Sequence, residues 1–463
     1  MNPYDRVAYP NRPYPNTHPD HLAVVARLRG IDAAPVERAR VLELGASEGG
    51  NLIPMALTLP RAEFTGIDLA AEPVERGRQV IRNLGLQNVR LLNIDLLDVD
   101  ASFGKFDYVI AHGLYAWTPP RVRDKLLAIA RENLNPAGVA FVSYNAYPGG
   151  HLRMLLREMM LYHAGGFEDP RERLEQARAV MQLVARGRPN ADAFDAAVAA
   201  EAAEALARDD GSLYHDYLAE NYEPAYFHQF IAHADRHGLQ YLDEASVRDA
   251  ANLKLSPEAV AVAAQAAGGD RIVEEQYLDL LRLRRFRQSL LCHAGAPVAA
   301  RLQTERAVGM LAATSAAETA EGEFSHPNSV RIKTNHALTL MFLRRMIAGW
   351  PQEERVEADT AEMALQLFQN GMIELHTVPG VAVRAGEKPR ASPLVRLQAS
   401  RGDSSVSTLR HRALTIEGDP ARRFIALLDG TRDRTTLARE MDCSREEIDA
   451  RLESLARRAV LLA

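Results

Sequence analysis

Within its first 150 residues the chain repeats one pattern five times: a short apolar run, a turn, and a stretch of helical period. The runs are ARVLEL (39–44), AEFTGIDL (62–69), NVRLLNID (88–95), FDYVIAHG (106–113) and AGVAFVSYN (137–145). Strands that alternate with helices in this way predict an α/β fold built on a parallel, doubly wound sheet. Such a sheet binds its ligand beyond the C-terminal ends of its strands. The residues closing strands one to four are therefore the first candidates for chemistry.

The flanking segments are less regular. The head, MNPYDRVAYPNRPYPNTHPD, holds five prolines and no apolar stretch of the secretory kind. Thr17 and Pro19 read as N-cap and first residues of a helix that Gly30 stops. Residues 151–210 are mainly helical and rich in Ala, Arg and Glu, like an inserted element; LQYLDE and RFRQSLLCH then regain strand character. Mixed segments follow over 299–390, and the last stretch holds three helices with Gly430 and Asp442 at the turns, as in a winged-helix arrangement.

Several function classes are disfavoured. Lys and Arg number 55 against 61 Asp and Glu, a net charge of −6, so no basic surplus meets a phosphate backbone and nucleic acid is not the expected partner. Cys292 and Cys443 lie far apart, in neither a disulfide framework nor a zinc motif, which suits a cytoplasmic protein. No apolar run is long enough to span a bilayer. No Asp, Asn or His grouping shows metal-ligand spacing, so no metal is expected.

The densest signal is VLELGASEGGN (41–51), between the first strand and its helix. An acidic residue near the strand's end, followed by Gly45 and Gly49 in a tight turn, lets backbone N–H groups approach a ligand. Asp68 closes the second run, where a carboxylate can accept from both ribose hydroxyls of a nucleoside, and Asp95 the third, where one can accept from an adenine amino group. The turn is not Gly-x-Gly-x-x-Gly and places Glu48 where a pyrophosphate would lie. Glu43 and Glu48 suit a cationic ligand instead, and S-adenosylmethionine carries a sulfonium and an ammonium.

These motifs resemble the class I S-adenosylmethionine-dependent methyltransferases. The opening YDRVAYPNRPYPNTHPDHL, the segments SYNAYPGG, HDYLAENYEPAYFHQFIAHADRHGLQYLDEA and YLDLLRLRRFRQSLLCH, and the ending PLVRLQAS with LRHRALTIEGDPARRFIALLDGTRDR are similar to the bacterial methyltransferase regulatory-domain family, which includes outer-membrane-protein lysine methyltransferases. The resemblance spans nearly the whole chain. It implies a Rossmann-like core with a seven-stranded, mostly parallel sheet, LQYLDE and RFRQSLLCH being strands six and seven and the second antiparallel. It also implies a helical insertion that serves as a dimerisation element, a middle domain, and a C-terminal winged-helix-like domain around an open cavity. The expected map is 1–165 and 215–298 for the two parts of the core, 166–214 for the insertion, 299–390 for the middle domain and 391–463 for the C-terminal domain.

Carried over residue by residue, the resemblance assigns Glu43, Gly45, Ala46, Gly49 and Asn51 to the cofactor turn. Asp68 and Leu69 fall at the ribose, Asp95 and Leu96 at the adenine, and Ala111 and His112 beside the transferable methyl. Ser47 stands where the class has its second glycine. Ala111-His112-Gly113-Leu114 lacks the Asn/Asp-Pro-Pro-Tyr that binds planar amide nitrogens, which disfavours that chemistry.

Methyl transfer from a sulfonium needs alignment, exclusion of water and a neutral amine. His112, Tyr115, Trp117 and Tyr147 are the candidate catalytic residues: His112 as a proton acceptor or an outer hydrogen-bonding partner, and the aromatics, with Tyr144, as walls of an acceptor channel. Tyr4, Tyr9, Tyr14, Thr17 and His18 can fold the head over the cofactor. Three readings stand open: a protein lysine methyltransferase, a small-molecule methyltransferase whose extra domains oligomerise or gate, and a scaffold that keeps S-adenosylmethionine as a structural ligand.

Overall fold

The computed structural model describes residues 3–187, 192–246 and 255–463. Its centre is a seven-stranded sheet of β1 (Arg40–Leu44), β2 (Glu63–Asp68), β3 (Val89–Asn93), β4 (Phe106–Ala111), β5 (Leu134–Asn145), β6 (Leu239–Glu244) and β7 (Phe286–His293), in the order β3-β2-β1-β4-β5-β7-β6. β1 to β5 pair in parallel, and β7 runs antiparallel to both β5 and β6, as expected from sequence. Alternation along the strands feeds two apolar layers. Tyr108 and Ile110 of β4 join one, with α1 (Pro19–Leu28), α2 (Leu52–Thr58) and α3 (Ala71–Leu84), whereas Val109 and Ala111 join the other, with α4 (Pro120–Glu132).

The late strands are locked in by charge as well as by apolar packing. Arg287 of β7, 0% exposed, meets Glu244 of β6 and Glu275 and Asp279 from the helix preceding β7. A buried cation is tolerable only with such partners, so the pairing specifies the β6–β7 register.

Helices α5 (Gly150–Ala164), α6 (Pro170–Arg186), α7 (Ala193–Leu206) and α8 (Asp210–Tyr217) form a bundle with its own core from Leu156 to Leu218. The insertion expected from residue 166 is thus joined in its packing by the helix ahead of it. The chain returns to the sheet through α9 (Phe227–Arg236), whose Phe227, Phe230, Ile231 and Ala234 pack on the same layer as α4. Further on, Leu311–Ala313 pairs between two short strands and packs with Ala337–Gly349 and Ala361–Gln369 in a third cluster, which also takes Val24 and Leu28 of α1. The C-terminal part packs Pro393–Ser400, Gly418–Leu427, Arg434–Met441 and Arg445–Arg457 around a separate core and carries a hairpin of Ser405–Ser407 with Ala413–Thr415. Among the described residues no helix is long and apolar enough to cross a membrane.

Two local expectations are corrected. His18, not Thr17, caps α1: its Nδ1 accepts from the Asp20 N–H at 3.2 Å, while the Thr17 hydroxyl turns to the Tyr14 carbonyl at 2.8 Å. β3 ends at Asn93, so Asp95 lies past the strand and caps a turn over Leu96–Asp98.

Candidate functional site

The loop after β1 turns through left-handed backbone at Gly45 (φ +76°) and Gly49 (φ +73°), where only glycine is unstrained. Ser47 adopts the same region at φ +48° despite its side chain, and its N–H donates to Asp68 Oδ2 at 2.8 Å. Asp68 Oδ1 accepts from the Ala70 N–H at 2.8 Å. The carboxylate at the end of β2 is thereby aimed at the turn by two backbone donors. Burial raises its pKa above the usual carboxylate range.

Glu43, in β1, is 4% exposed. Its Oε1 accepts from Asn51 Nδ2 at 2.8 Å, whereas Oε2 is buried without a partner. Burial pushes the carboxyl up to about 8. A buried oxygen with no donor is costly in a folded chain. Asp95 offers its carboxylate just past β3, with Oδ1 on the Leu97 N–H at 2.9 Å. Leu69 stands 60% exposed, while Ala46, Leu96 and Ala111 are buried.

His112 follows β4 directly. Its ring lies 3.9 Å from that of Tyr14, and its Nδ1 is 3.1 Å from Ser143 Oγ, which accepts from the Gly113 N–H at 2.8 Å. Burial, helped by the Arg12 guanidinium, lowers its pKa to about 4, so the imidazole is neutral near pH 7.

The other expected catalytic residues are not gathered here. Tyr115 is 4% exposed, packs on Tyr144 and Phe230, and meets His233 Nδ1 through its hydroxyl at 2.8 Å. Its backbone sits in a turn whose side chain falls into the core between α4 and α9. Trp117 lies 4.5 Å from Tyr222, and Tyr147 stacks 4.1 Å from His151. Glu48 is also redirected: it pairs with Arg76 of α3 at 2.6 Å and accepts from Asn11, so it does not face a ligand as an unpaired charge.

The head is laid across the site. Tyr14 donates its N–H to Asn51 Oδ1 at 3.0 Å, and Asn51 Nδ2 donates to Thr17 Oγ1 at 2.9 Å. Further out, Tyr4 stacks on His215 at 4.0 Å and Tyr9 reaches Asp216 at 3.5 Å. Sequence reasoning missed one residue of this site. His411, 5% exposed in the turn of the C-terminal hairpin, donates from Nε2 to Asn51 Oδ1 at 2.8 Å. A chain of contacts so runs from the C-terminal domain through Asn51 to Glu43. Only its place inside LRHRALTIEGD, one of the segments carrying the resemblance, could have drawn attention to it.

Past His18 and His411 opens a cleft between α1, the middle part and the C-terminal hairpin. None of the strand-end carboxylates lines it, so it is not the pocket of the glycine turn itself. Its wall carries His376, 2.8 Å from Asp20 and 3.4 Å from Glu374, with Arg410 bridging Glu374 and Glu353. Despite burial, hydrogen bonds and attraction from Asp20 and Glu374 raise His376 to about 9, so it is an imidazolium.

Comparison with known proteins places this geometry in a family. Residues 42–140 match a model described as a methyltransferase domain, 209–293 one described as a predicted methyltransferase regulatory domain, and 387–458 one described as the PKMT C-terminal winged helix domain. An uncharacterized protein of Rickettsia prowazekii is 40% identical over 293 residues, which are 63% of this chain and 53% of that one. The chain thus spans about half the length of that relative. A second uncharacterized protein of the same organism is 35% identical over 240 residues, 52% of this chain and 96% of that one. The structure of PKMT2 from Rickettsia typhi in complex with AdoHcy superposes with a TM-score of 0.87 at 24% identity, covering 98% of this chain and 100% of that one.

Proposed function

This chain belongs to the methyltransferase regulatory-domain family, and on that premise we propose that it is an S-adenosylmethionine-dependent protein lysine N-methyltransferase. The observation that carries the reading is Glu43 Oε2, a buried acceptor with no partner beside the glycine turn. It suits the ammonium of the cofactor's methionine end. Asp68 would take the ribose hydroxyls, Asp95 the adenine amino group, and Leu69 with Leu96 the faces of the base. The bound cofactor supplies an electrophilic methyl on a sulfonium.

The chain's own residues exclude water and set the approach. Tyr14 over His112, with the head anchored on Asn51, closes the side of the turn facing β4. His112, held near pKa 4, is too weak a base to take a proton from an amine of pKa ~10. Its imidazole is a wall and hydrogen-bonding partner, and the acceptor sheds its proton to solvent before alignment. The matched PKMT winged-helix domain forms part of the wall of the cleft beyond His411, where an acceptor would enter. The winged-helix match is what favours a protein acceptor over a small molecule. The bundle, with Tyr162, Leu183 and Phe194 exposed, is where two copies of the chain would associate. The two free thiols, Cys292 and Cys443, suit a cytoplasmic setting.

Incubation with labelled S-adenosylmethionine and a fractionated lysate, followed by mass spectrometry, tests the reading. Label on lysine side chains of protein supports it. Label in the small-molecule fraction makes the acceptor a metabolite, and binding without transfer makes the protein a scaffold.

A further inference from the structure

On the other face of the sheet from His112, Asp124, His233 and His237 each bring one ligand atom within 4.8 Å of the others. Asp124 belongs to α4. His233 and His237 are four residues apart, in the last turn of α9 and just past its end, so the helix presents both imidazoles on one side. Nε2 of His233 lies 3.3 Å from Asp124 Oδ1, and Nε2 of His237 lies 3.1 Å from the same oxygen. Two ligand atoms bound tetrahedrally at ~2.0–2.1 Å from one Zn²⁺ are separated by about 3.3 Å. The two imidazole–carboxylate separations, which are those of N–H···O hydrogen bonds, also match two edges of such a coordination sphere.

The surroundings supply what a metal-binding histidine needs. His233 Nδ1 lies 2.8 Å from the Tyr115 hydroxyl, and that oxygen can accept from Nδ1–H as readily as it can donate to a bare nitrogen. A cation on Nε2 would place the proton on Nδ1, and Tyr115 would hold both tautomer and ring orientation. Tyr115 is itself clamped by Tyr144 and Phe230, so the orientation is set by the core. The imidazoles are 13% and 17% exposed against 64% for Asp124, which leaves the approach open on the carboxylate side.

Neighbouring charge narrows the choice of ion. Arg121, Arg123, Arg236 and Glu223 line the same depression, and Arg123 is paired with Glu223. The remaining guanidiniums repel any dication, so only an ion that gains a strong bond to imidazole nitrogen can offset them. An ion that bonds to imidazole nitrogen gains more from this donor set. We propose that Asp124, His233 and His237 form a three-ligand site for a divalent transition metal, Zn²⁺ foremost, with its fourth position open to solvent. The ion staples α4 to α9, the helix that leads into the second part of the core. It also pins Tyr115, three residues beyond His112. No metal is expected from spacing along the sequence, because the third ligand stands more than a hundred residues before the histidines.

The test uses the full-length protein stripped with chelator and titrated with Co²⁺ and Zn²⁺. One Zn²⁺ per chain, a raised unfolding temperature, and the visible absorption of four- or five-coordinate Co²⁺ without a sulfur charge-transfer band are expected. His237→Gln, at the partly exposed helix end, and Asp124→Asn should each weaken Zn²⁺ binding by at least about tenfold while leaving unliganded unfolding unchanged. Affinity within about threefold of the parent in both variants overturns the proposal. So does a six-coordinate, water-like Co²⁺ spectrum or a band that reports Cys292 or Cys443. None of these readouts depends on methyl transfer, so failure here is separable from failure of the proposed activity.

Discussion

On the floor of the site, Asp68 accepts from the N–H groups of Ser47 and Ala70, partners 21 and 2 residues away. On its roof, Asn51 is held by Thr17, Tyr14 and His411, at separations of 34, 37 and 360 residues. The floor follows from one strand-turn-helix unit and its neighbour strand, so any folding that forms the sheet also forms it. The roof exists only when head, core and C-terminal domain are docked together. Loss of a floor residue should therefore abolish cofactor binding outright, and loss of a roof residue should weaken it while the core stays folded.

Asp68→Ala is the harshest test of the floor. Two charge-assisted hydrogen bonds to ribose, at ~1.5–3 kcal/mol each, correspond to at least about a hundredfold loss of affinity. Because Asp68 also braces the turn, circular dichroism should accompany calorimetry. A dissociation constant within about threefold of the parent would remove Asp68 from the cofactor site.

Glu43 joins floor to roof, and its titration sharpens the contrast. Its folded pKa is raised from 4.5 to about 8, so the protonated form is favoured in the ligand-free protein. That contribution to stability is full below the unfolded value and is lost as pH rises through about 8. A cationic cofactor end must ionise Glu43, so affinity should climb by up to about tenfold per pH unit below that value. In Glu43→Gln this component of the slope should vanish. Identical pH profiles for parent and variant would exclude Glu43 from the cofactor contact.

The roof is probed by His411→Ala. Removal of one donor to Asn51 should reduce cofactor affinity by about tenfold with unfolding of the core unchanged. A truncated chain of residues 1–298 should share the loss, since it lacks His411. Equal affinity in both would make the C-terminal domain a bystander to the cofactor and confine it to the acceptor side. The smallest effect belongs to Ser47→Gly. Relief of left-handed backbone is partly offset by the greater freedom of glycine in the unfolded chain, so the unfolding temperature should rise by about 4 °C or less. A fall would mean that the serine side chain contributes to the turn.

Local periodicity and residue type by themselves determined the first five strands and the glycine turn with Glu43 and Asp68, while the family resemblance supplied the place of the two late strands in the sheet and Asp95 came to lie past β3 rather than at its end. Strand and helix periods are properties of the backbone, and strand ends in a parallel sheet converge on one edge. Tertiary structure alone decided which of the nearby polar and aromatic groups face that edge. Glu48 has the right spacing for a ligand contact, yet Arg76 on α3 takes it. Tyr115 and Trp117 follow His112 in sequence, yet they turn into the core and onto Tyr222. His411 was marked only by its place in a segment that carries the resemblance, and neither its contact with Asn51 nor the grouping of Asp124 with His233 and His237 could be read, because nothing in local sequence records which distant surfaces dock. Docking is set by the summed burial of whole domains, and a single hydrogen bond across the interface is its consequence rather than its signal.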